Sequence, residues 1–175
     1  MIRIYTNMIN QAPNKGGKYS QGLYVPKNKE KVIKLNSYGG IFYRSSYEKK
    51  IMQYLDINPN IVQWCAEWLE IPYELIRYKN GEMIKTTHRY FPDIYYILKT
   101  NEGVLKKVVA EIKPYNETIR PVPPKNATKK QLTNFEYAIT QYNKNLAKWE
   151  AAVNWCKTKD IDFIIITEKY LNFLK

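Results

Sequence analysis

Asp93 follows Pro92 in the run His88-Arg89-Tyr90-Phe91-Pro92-Asp93-Ile94-Tyr95-Tyr96. Glu111 and Lys113 stand near the end of a second run, Val108-Val109-Ala110-Glu111-Ile112-Lys113-Pro114. Both runs are short and apolar enough to be strands, and both carry charge where a strand is usually greasy. Alternate side chains of a strand share a face, so Glu111 and Lys113 point one way and Ile112 the other. Between the runs, Lys99-Thr100-Asn101-Glu102-Gly103 reads as a hairpin turn, with Gly103 free to take positive φ. A chain folding back there brings Asp93 and Glu111 to one end of a sheet. Carboxylate oxygens suit a hard cation such as Mg²⁺, and an ammonium beside them can steady a phosphate oxygen or an attacking water. Plainer uses are open to the same residues. Asp93 can be a turn acid paired with Arg89, and Glu111 with Lys113 can be an exposed ion pair. His88 is the single histidine, so a histidine-based metal cluster is out, and a Ser-His-Asp triad would have to use this one residue.

Glu48 is a third acid to weigh. Ser45-Ser46-Tyr47-Glu48 has capping-box spacing, and Tyr47, Ile51, Tyr54 and Leu55 follow at helical intervals. The helix is expected to run to about Leu55, where Asp56-Ile57-Asn58-Pro59 stops it. Glu48 then has two jobs open to it: capping, or reaching a site from the border of the buried face beside Met52 and Leu55. Arg44, His88 and Arg89 are either phosphate contacts or solvated charges.

The elements that must position these residues can be read in order. Ser37 to Gly40 is a turn, and Ile41 to Arg44 a short strand leading into the helix. Ile61 to Trp68 is a strand or a turn-rich connection. Leu69 to Tyr78 alternates as a strand, with Pro72 at an edge or at its beginning. Asn80-Gly81 signals a hairpin. The next strand is expected over Arg89 to Leu98, and another over Val104 to Lys113. Asn116 to Asn126 is a proline-rich loop, made basic by Lys113, Arg120, Lys125, Lys129 and Lys130 around it. Thr128 and Gln131 repeat the capping-box spacing. Leu132, Phe135, Ile139, Tyr142, Leu146, Trp149, Val153 and Cys156 recur at steps of three and four, giving a long amphipathic helix of about 45 Å at ~1.5 Å per residue. Its outer part could dock on another chain. It should end near Lys157 to Lys159. Ile161 to Thr167 reads as a strand buried on both faces, and Leu171 to Leu174 as a short helix or tail.

The chain of 175 residues is 45% hydrophobic and carries a formal net charge of +12. That is enough for one ordinary core, and it excludes wholesale disorder. The charge favours a polyanionic partner, nucleic acid before an acidic membrane surface. The 16 tyrosines alone argue nothing, because A/T-rich codons would produce them together with the many Lys, Ile and Asn. Residues 1–36 hold Arg3 and six lysines against the single acid Glu30, broken by Gly16-Gly17 and by prolines. They read as a basic, loop-like arm, and residues 37–175 as one domain. Gly17-Lys18 is not a phosphate-binding loop, since Tyr19 replaces the needed hydroxyl and Ala12 the first glycine. Cys65 and Cys156 each sit beside a tryptophan and read as buried thiols. No apolar run approaches the ~18–20 residues of a membrane span. Met1 to Asn7 lacks the apolar stretch of a secretion signal, so the chain is expected to stay in the compartment where it is made.

Helix, three strands, helix, strand is the αβββαβ order of the PD-(D/E)XK nuclease superfamily, which this chain resembles. Pro92-Asp93 followed by Glu111-Ile112-Lys113 matches its motif, and Glu48 ahead of the sheet fits as well. Tyr43 to Glu48, Ile71-Pro72-Tyr73 and Arg89 to Asp93 look most like the TnsA-type transposon endonucleases and the head-completion nucleases of tailed phages. The resemblance implies a restriction-endonuclease-like α/β (α+β) fold, a mixed sheet flanked by helices. It implies Asp93 and Glu111 as ligands of Mg²⁺ (Mn²⁺ able to substitute), with Glu48 and the Ile112 carbonyl as further ligands and Lys113 orienting the water. Glu48, Asp93, Glu111 and Lys113 would be the catalytic set. Arg44, His88, Arg89, Lys125, Lys129 and Lys130 are the expected DNA contacts. The implied protein is a Mg²⁺-dependent endonuclease acting on double-stranded, packaged DNA at a phage head–neck vertex. Its partners would be portal or neck proteins, and its place the host cytoplasm during assembly and then the virion. Two rivals stand beside it: a structural head–neck or DNA-binding protein that keeps the nuclease fold, and a TnsA-like transposition endonuclease.

Overall fold

The computed structural model describes residues 20–171. The chain begins there with β1 (Gly22–Tyr24), which pairs antiparallel with β2 (Ile41–Tyr43). The helix α1 (Ser46–Ile57) follows. Ser45 caps it as expected, its hydroxyl accepting the Glu48 amide at 3.1 Å. The helix runs through Asp56, where the sequence suggested a stop. Asp56 is fully buried and gathers the segment before β2 onto the domain. Its carboxylate accepts the Tyr24 hydroxyl at 2.7 Å and the Lys27 and Asn28 amides at 2.8 and 2.9 Å. Residues 20–36, expected in the basic arm, thus lie against the core, with Val32, Ile33 and Leu35 packed on it. The rest of that arm, residues 1–19, lies outside the described residues.

Next come β3 (Ile61–Ala66), β4 (Ile71–Lys79), β5 (Glu82–Tyr90), β6 (Ile94–Lys99) and β7 (Leu105–Ile112). After the proline-rich loop the long helix α2 (Lys129–Lys157) leads to β8 (Asp162–Ile166) and the short α3 (Glu168–Leu171). The main sheet has the order β3-β6-β7-β8, antiparallel except for the parallel pair β7 and β8. This is the expected helix, three strands, helix, strand, but with different strands. The first of the three is Ile61–Ala66, the stretch that local sequence left undecided. The strand expected over Arg89 to Leu98 is two strands in two sheets, parted at residues 91–93, where Pro92 has no N–H to give a ladder. β4 and β5 form a separate hairpin inserted into the core order. Its turn is Asn80-Gly81 with φ of +54° and +83°, the pairing a two-residue type I′ loop requires. Gly103 takes φ +81° in the turn between β6 and β7, as anticipated.

The two faces of the sheet bury different helices. Ile94, Ala110 and Ile112 pack with Ile51, Met52 and Leu55 of α1. Tyr95 and Val109, one residue out of phase, pack with Cys156 of α2. α2 also clamps the hairpin, where Ala152 meets Ile71, Tyr73 and Tyr90. Both cysteines are buried thiols, as read.

Two further expectations fail. β8 is an edge strand of the sheet, and Phe163, Ile164 and Ile165 are only half-buried. The apolar stripe of α2 drifts as well. Trp149, Ala152 and Cys156 are buried, but Leu132, Leu146 and Val153 are exposed. At 3.6 residues per turn a step of seven slips backward by about 20° per repeat, so one heptad line cannot follow a straight packing face. Small residues, Ala147, Ala151 and Ala152, let the hairpin approach instead.

Candidate active site

Asp93 lies just before β6, and Glu111 is the penultimate residue of β7. Ile94 pairs with Ala110, so Asp93 stands across from Glu111 at the ends of two central strands. Side-chain alternation sends Asp93, Glu111 and Lys113 to the face shared with Tyr95 and Val109, the face that α2 covers. Pro92 is buried just ahead and sets the approach of the chain.

The bonds are specific. The Ile112 amide donates to Asp93 Oδ2 at 2.7 Å, a link between the two motif halves. Lys113 Nζ lies 3.0 Å from Glu111 Oε1. The Tyr90 hydroxyl donates to Glu111 Oε2 at 2.7 Å. Glu111 is 2% exposed, so both its oxygens are held by protein groups in a nearly dry setting. Beyond Lys113, the Tyr115 amide donates to Glu168 Oε2 at 2.8 Å and ties the outgoing loop to α3.

Electrostatics follow from that crowding. Burial, and then the charge of Glu111, push the Asp93 carboxyl well above the usual carboxylate range, against the pull of Lys113 and of the Ile112 amide. Burial alone would lower the Lys113 ammonium, but Glu111 and then Asp93 outweigh it and hold it above its ordinary value. Burial raises the Tyr90 phenol, and Glu111 raises it further, so Tyr90 remains a hydrogen-bond donor. Glu111 is buried and Asp93 half-buried, and the Lys113 ammonium is the cation bonded to the pair, through Glu111.

Two residues of this cluster escaped the sequence reading. Tyr90 stood within the quoted motif without a role. Its bond to Glu111 depends on the inserted hairpin, which local spacing did not reveal. Lys148 of α2 lies over the rings of Tyr90 and Tyr73, at 5.3 and 6.0 Å from their centroids. Burial lowers its pKa, and the charges of Glu111 and Asp93 act against that. Lys148 falls off the heptad line, and the spacing Gln141, Asn145, Lys148, Ala152 was the available signal.

The other expected residues are spread around the cluster. Glu48 begins α1, which packs on the opposite face of the sheet. Its Oε2 accepts the amide of Arg44, one residue before the N-cap, at 2.9 Å and not the Ser45 amide of a full capping box, and its charge reaches Asp93 only as the weakest of several influences. Arg44 is ion-paired with Glu67 and also feels Glu48 and Asp93. His88 sits on the hairpin, with Nε2 2.9 Å from Thr86 Oγ1 and its ring against Tyr73. Arg89 is exposed, 3.6 Å from Glu70 and over the ring of Phe91. Lys125, Lys129 and Lys130 are exposed on the loop and the first turn of α2.

The donors at the site decide which metal could sit there. Among the described residues, no three of His, Cys, Asp and Glu stand together closely enough to hold an ion. Two acids do fit in kind: Asp93 and Glu111 offer hard oxygen donors from the facing ends of two adjacent strands. The Ile112 backbone reaches Asp93 through its amide; an expected carbonyl ligand would come from the same residue.

The chain is similar to known nucleases. Residues 58–168 match the family model described as TnsA-like endonuclease N terminal, a span that takes in β3 through β8 and the cluster. Over 157 residues the chain is 36% identical to the head completion nuclease of Enterobacteria phage T4, covering 87% of this chain and 94% of that protein. No solved structure matches.

Proposed function

We propose a mechanism and a setting from one premise: the chain belongs to the TnsA-like endonucleases and is a DNA-cleaving nuclease. Nucleases of this kind work with a divalent metal. The finer reading is Mg²⁺-dependent hydrolysis of a phosphodiester in double-stranded DNA, during completion of a phage head, at the head–neck vertex. The relative's printed name and its near-complete overlap favour this reading over a transposition nuclease. Portal or neck proteins are the proposed partners, the infected host's cytoplasm the place of assembly, and the virion the destination. Among the described residues no helix is long and apolar enough to cross a membrane.

The observation that carries the reading is the trio Asp93, Glu111 and Lys113, joined by the Ile112 amide and the Glu111–Lys113 ion pair. Asp93 and Glu111 would hold the ion, with the Ile112 carbonyl and, at longer range, Glu48 as the outer members of the set. A divalent cation held there would supply Lewis acidity, making a nearby water more acidic and offsetting charge on the phosphate. The protein's own groups do the rest. The Ile112 amide fixes the orientation of Asp93. Tyr90 fixes Glu111 and excludes water from its second oxygen. Lys113 places positive charge where the phosphate gains negative charge in the transition state, an interaction stronger there than in the bound substrate. α2 and the β4–β5 hairpin keep the acids in a low-dielectric pocket, where such charges count most.

Supercoiled plasmid tests the metal dependence. Nicking is expected with Mg²⁺ or Mn²⁺ and should stop with EDTA. The nicks should be sealable by ligase, as 5′-phosphate and 3′-hydroxyl ends are. Nicking that persists undiminished in EDTA would contradict the metal reading.

A further inference from the structure

A cleft of about 550 Å³ opens beside the catalytic trio, between the loop that follows β7 and the first half of α2. Nothing in the mechanism uses it. Its inner end is made by Lys113 and Lys148, the two lysines whose charges meet Asp93 and Glu111. Its walls carry the amides of Asn116, Gln141 and Asn145 and the rings of Tyr137 and Tyr142. Gln141, Asn145 and Lys148 recur at steps of four and three along one line of α2, and Tyr142 stands beside that line, three residues before Asn145, so the helix presents all four to the cleft.

This lining suits a nucleobase more than it suits a duplex backbone. Each carboxamide offers both donor and acceptor, which a base edge requires. Tyrosine rings give a base a stacking surface that tolerates any sequence. A run of phosphates would want several cations along the walls. The cations here are concentrated at the end nearest the acids, and Glu117 is also present in the lining. A base paired within a helix cannot enter such a cleft without leaving the stack.

On the nuclease reading, we propose that this cleft seats one unpaired nucleotide next to the scissile phosphate. The base lies among Tyr142, Gln141 and Asn145, and Lys148 contacts the phosphate that joins it to the cleaved bond. The preferred substrate is then DNA with an unpaired nucleotide at the cut, such as an overhang, flap or frayed end, over a continuous duplex.

The test is binding by full-length Asp93→Asn protein in EDTA, so that cleavage plays no part. The probes are a blunt duplex and the same duplex with a short 5′ or 3′ overhang, with 2-aminopurine as the first unpaired base. At least one overhang should bind about ten-fold tighter than the blunt end, with quenched 2-aminopurine. Tyr142→Ala and, separately, Asn145→Ala should each cut that preference to about two-fold or less and restore the fluorescence, while the circular dichroism melt stays cooperative. Equal affinity for blunt and overhanging DNA would overturn the proposal. So would a preference and quenching that survive in both cleft variants. Plasmid nicking by the unmodified protein is scored separately, so loss of the nuclease reading and loss of the cleft reading give different results.

Discussion

At the residue scale, the cluster is built around Glu111, a nearly dry carboxylate held by Lys113 on one oxygen and Tyr90 on the other. Leaving one oxygen without a donor costs the desolvation of a buried charged group, more than the bond itself contributes. Tyr90→Phe is therefore expected to lower stability by about 2 kcal/mol. It should also slow cleavage, since Glu111 loses its fixed orientation. Denaturant unfolding and plasmid nicking measure the two effects. Unchanged stability would mean that the Glu111 oxygen finds another partner.

The element scale shows why some of this was legible and some was not. α1 and α2 announced themselves through the capping spacings at Ser45 and Thr128, and both caps form. The turns at Asn80-Gly81 and Gly103 did the same, because only certain residues take positive φ cheaply. Asp93, Glu111 and Lys113 were legible because a two-residue period and one turn suffice to bring them together. What stayed hidden depends on long-range packing. The role of Ile61–Ala66 as first core strand is fixed by pairing with β6, about thirty positions away in sequence. Lys148 joins the acids only because α2 lies across the hairpin. Asp56 reads locally as a helix stop but acts as the anchor for residues 24–28. Burial works against its charge, yet the Tyr24 hydroxyl and the Lys27 and Asn28 amides outweigh it and hold its pKa below the ordinary value. Its contribution to stability is full above the unfolded carboxyl's pKa of about 3.9 and is lost as pH falls through the depressed folded value. Asp56→Asn should cost about 2 kcal/mol at neutral pH, and the difference from the unmodified protein should shrink below about pH 4. Urea melts across pH 3 to 7 would show it. A gap that stays constant down the series would mean that the carboxylate charge is not what anchors the segment.

For the whole molecule, binding and cutting are separate properties. A net charge of +12 draws the chain to any polyanion, with an affinity that falls as salt rises. Lys125, Lys129 and Lys130 are exposed, and on the proposed reading they would add to that attraction. The acids contribute nothing to it and would oppose it, so only cleavage should depend on them. The most direct measurement compares plasmid nicking and DNA binding, at one salt concentration with Mg²⁺, for the unmodified protein and for Asp93→Asn, Glu111→Gln and Glu48→Gln. Asp93→Asn and Glu111→Gln should each lower the nicking rate by about 10³-fold, and Glu48→Gln by about ten-fold, with binding at least as tight as before. Nicking by Asp93→Asn at the rate of the unmodified protein would place the chemistry elsewhere in the chain.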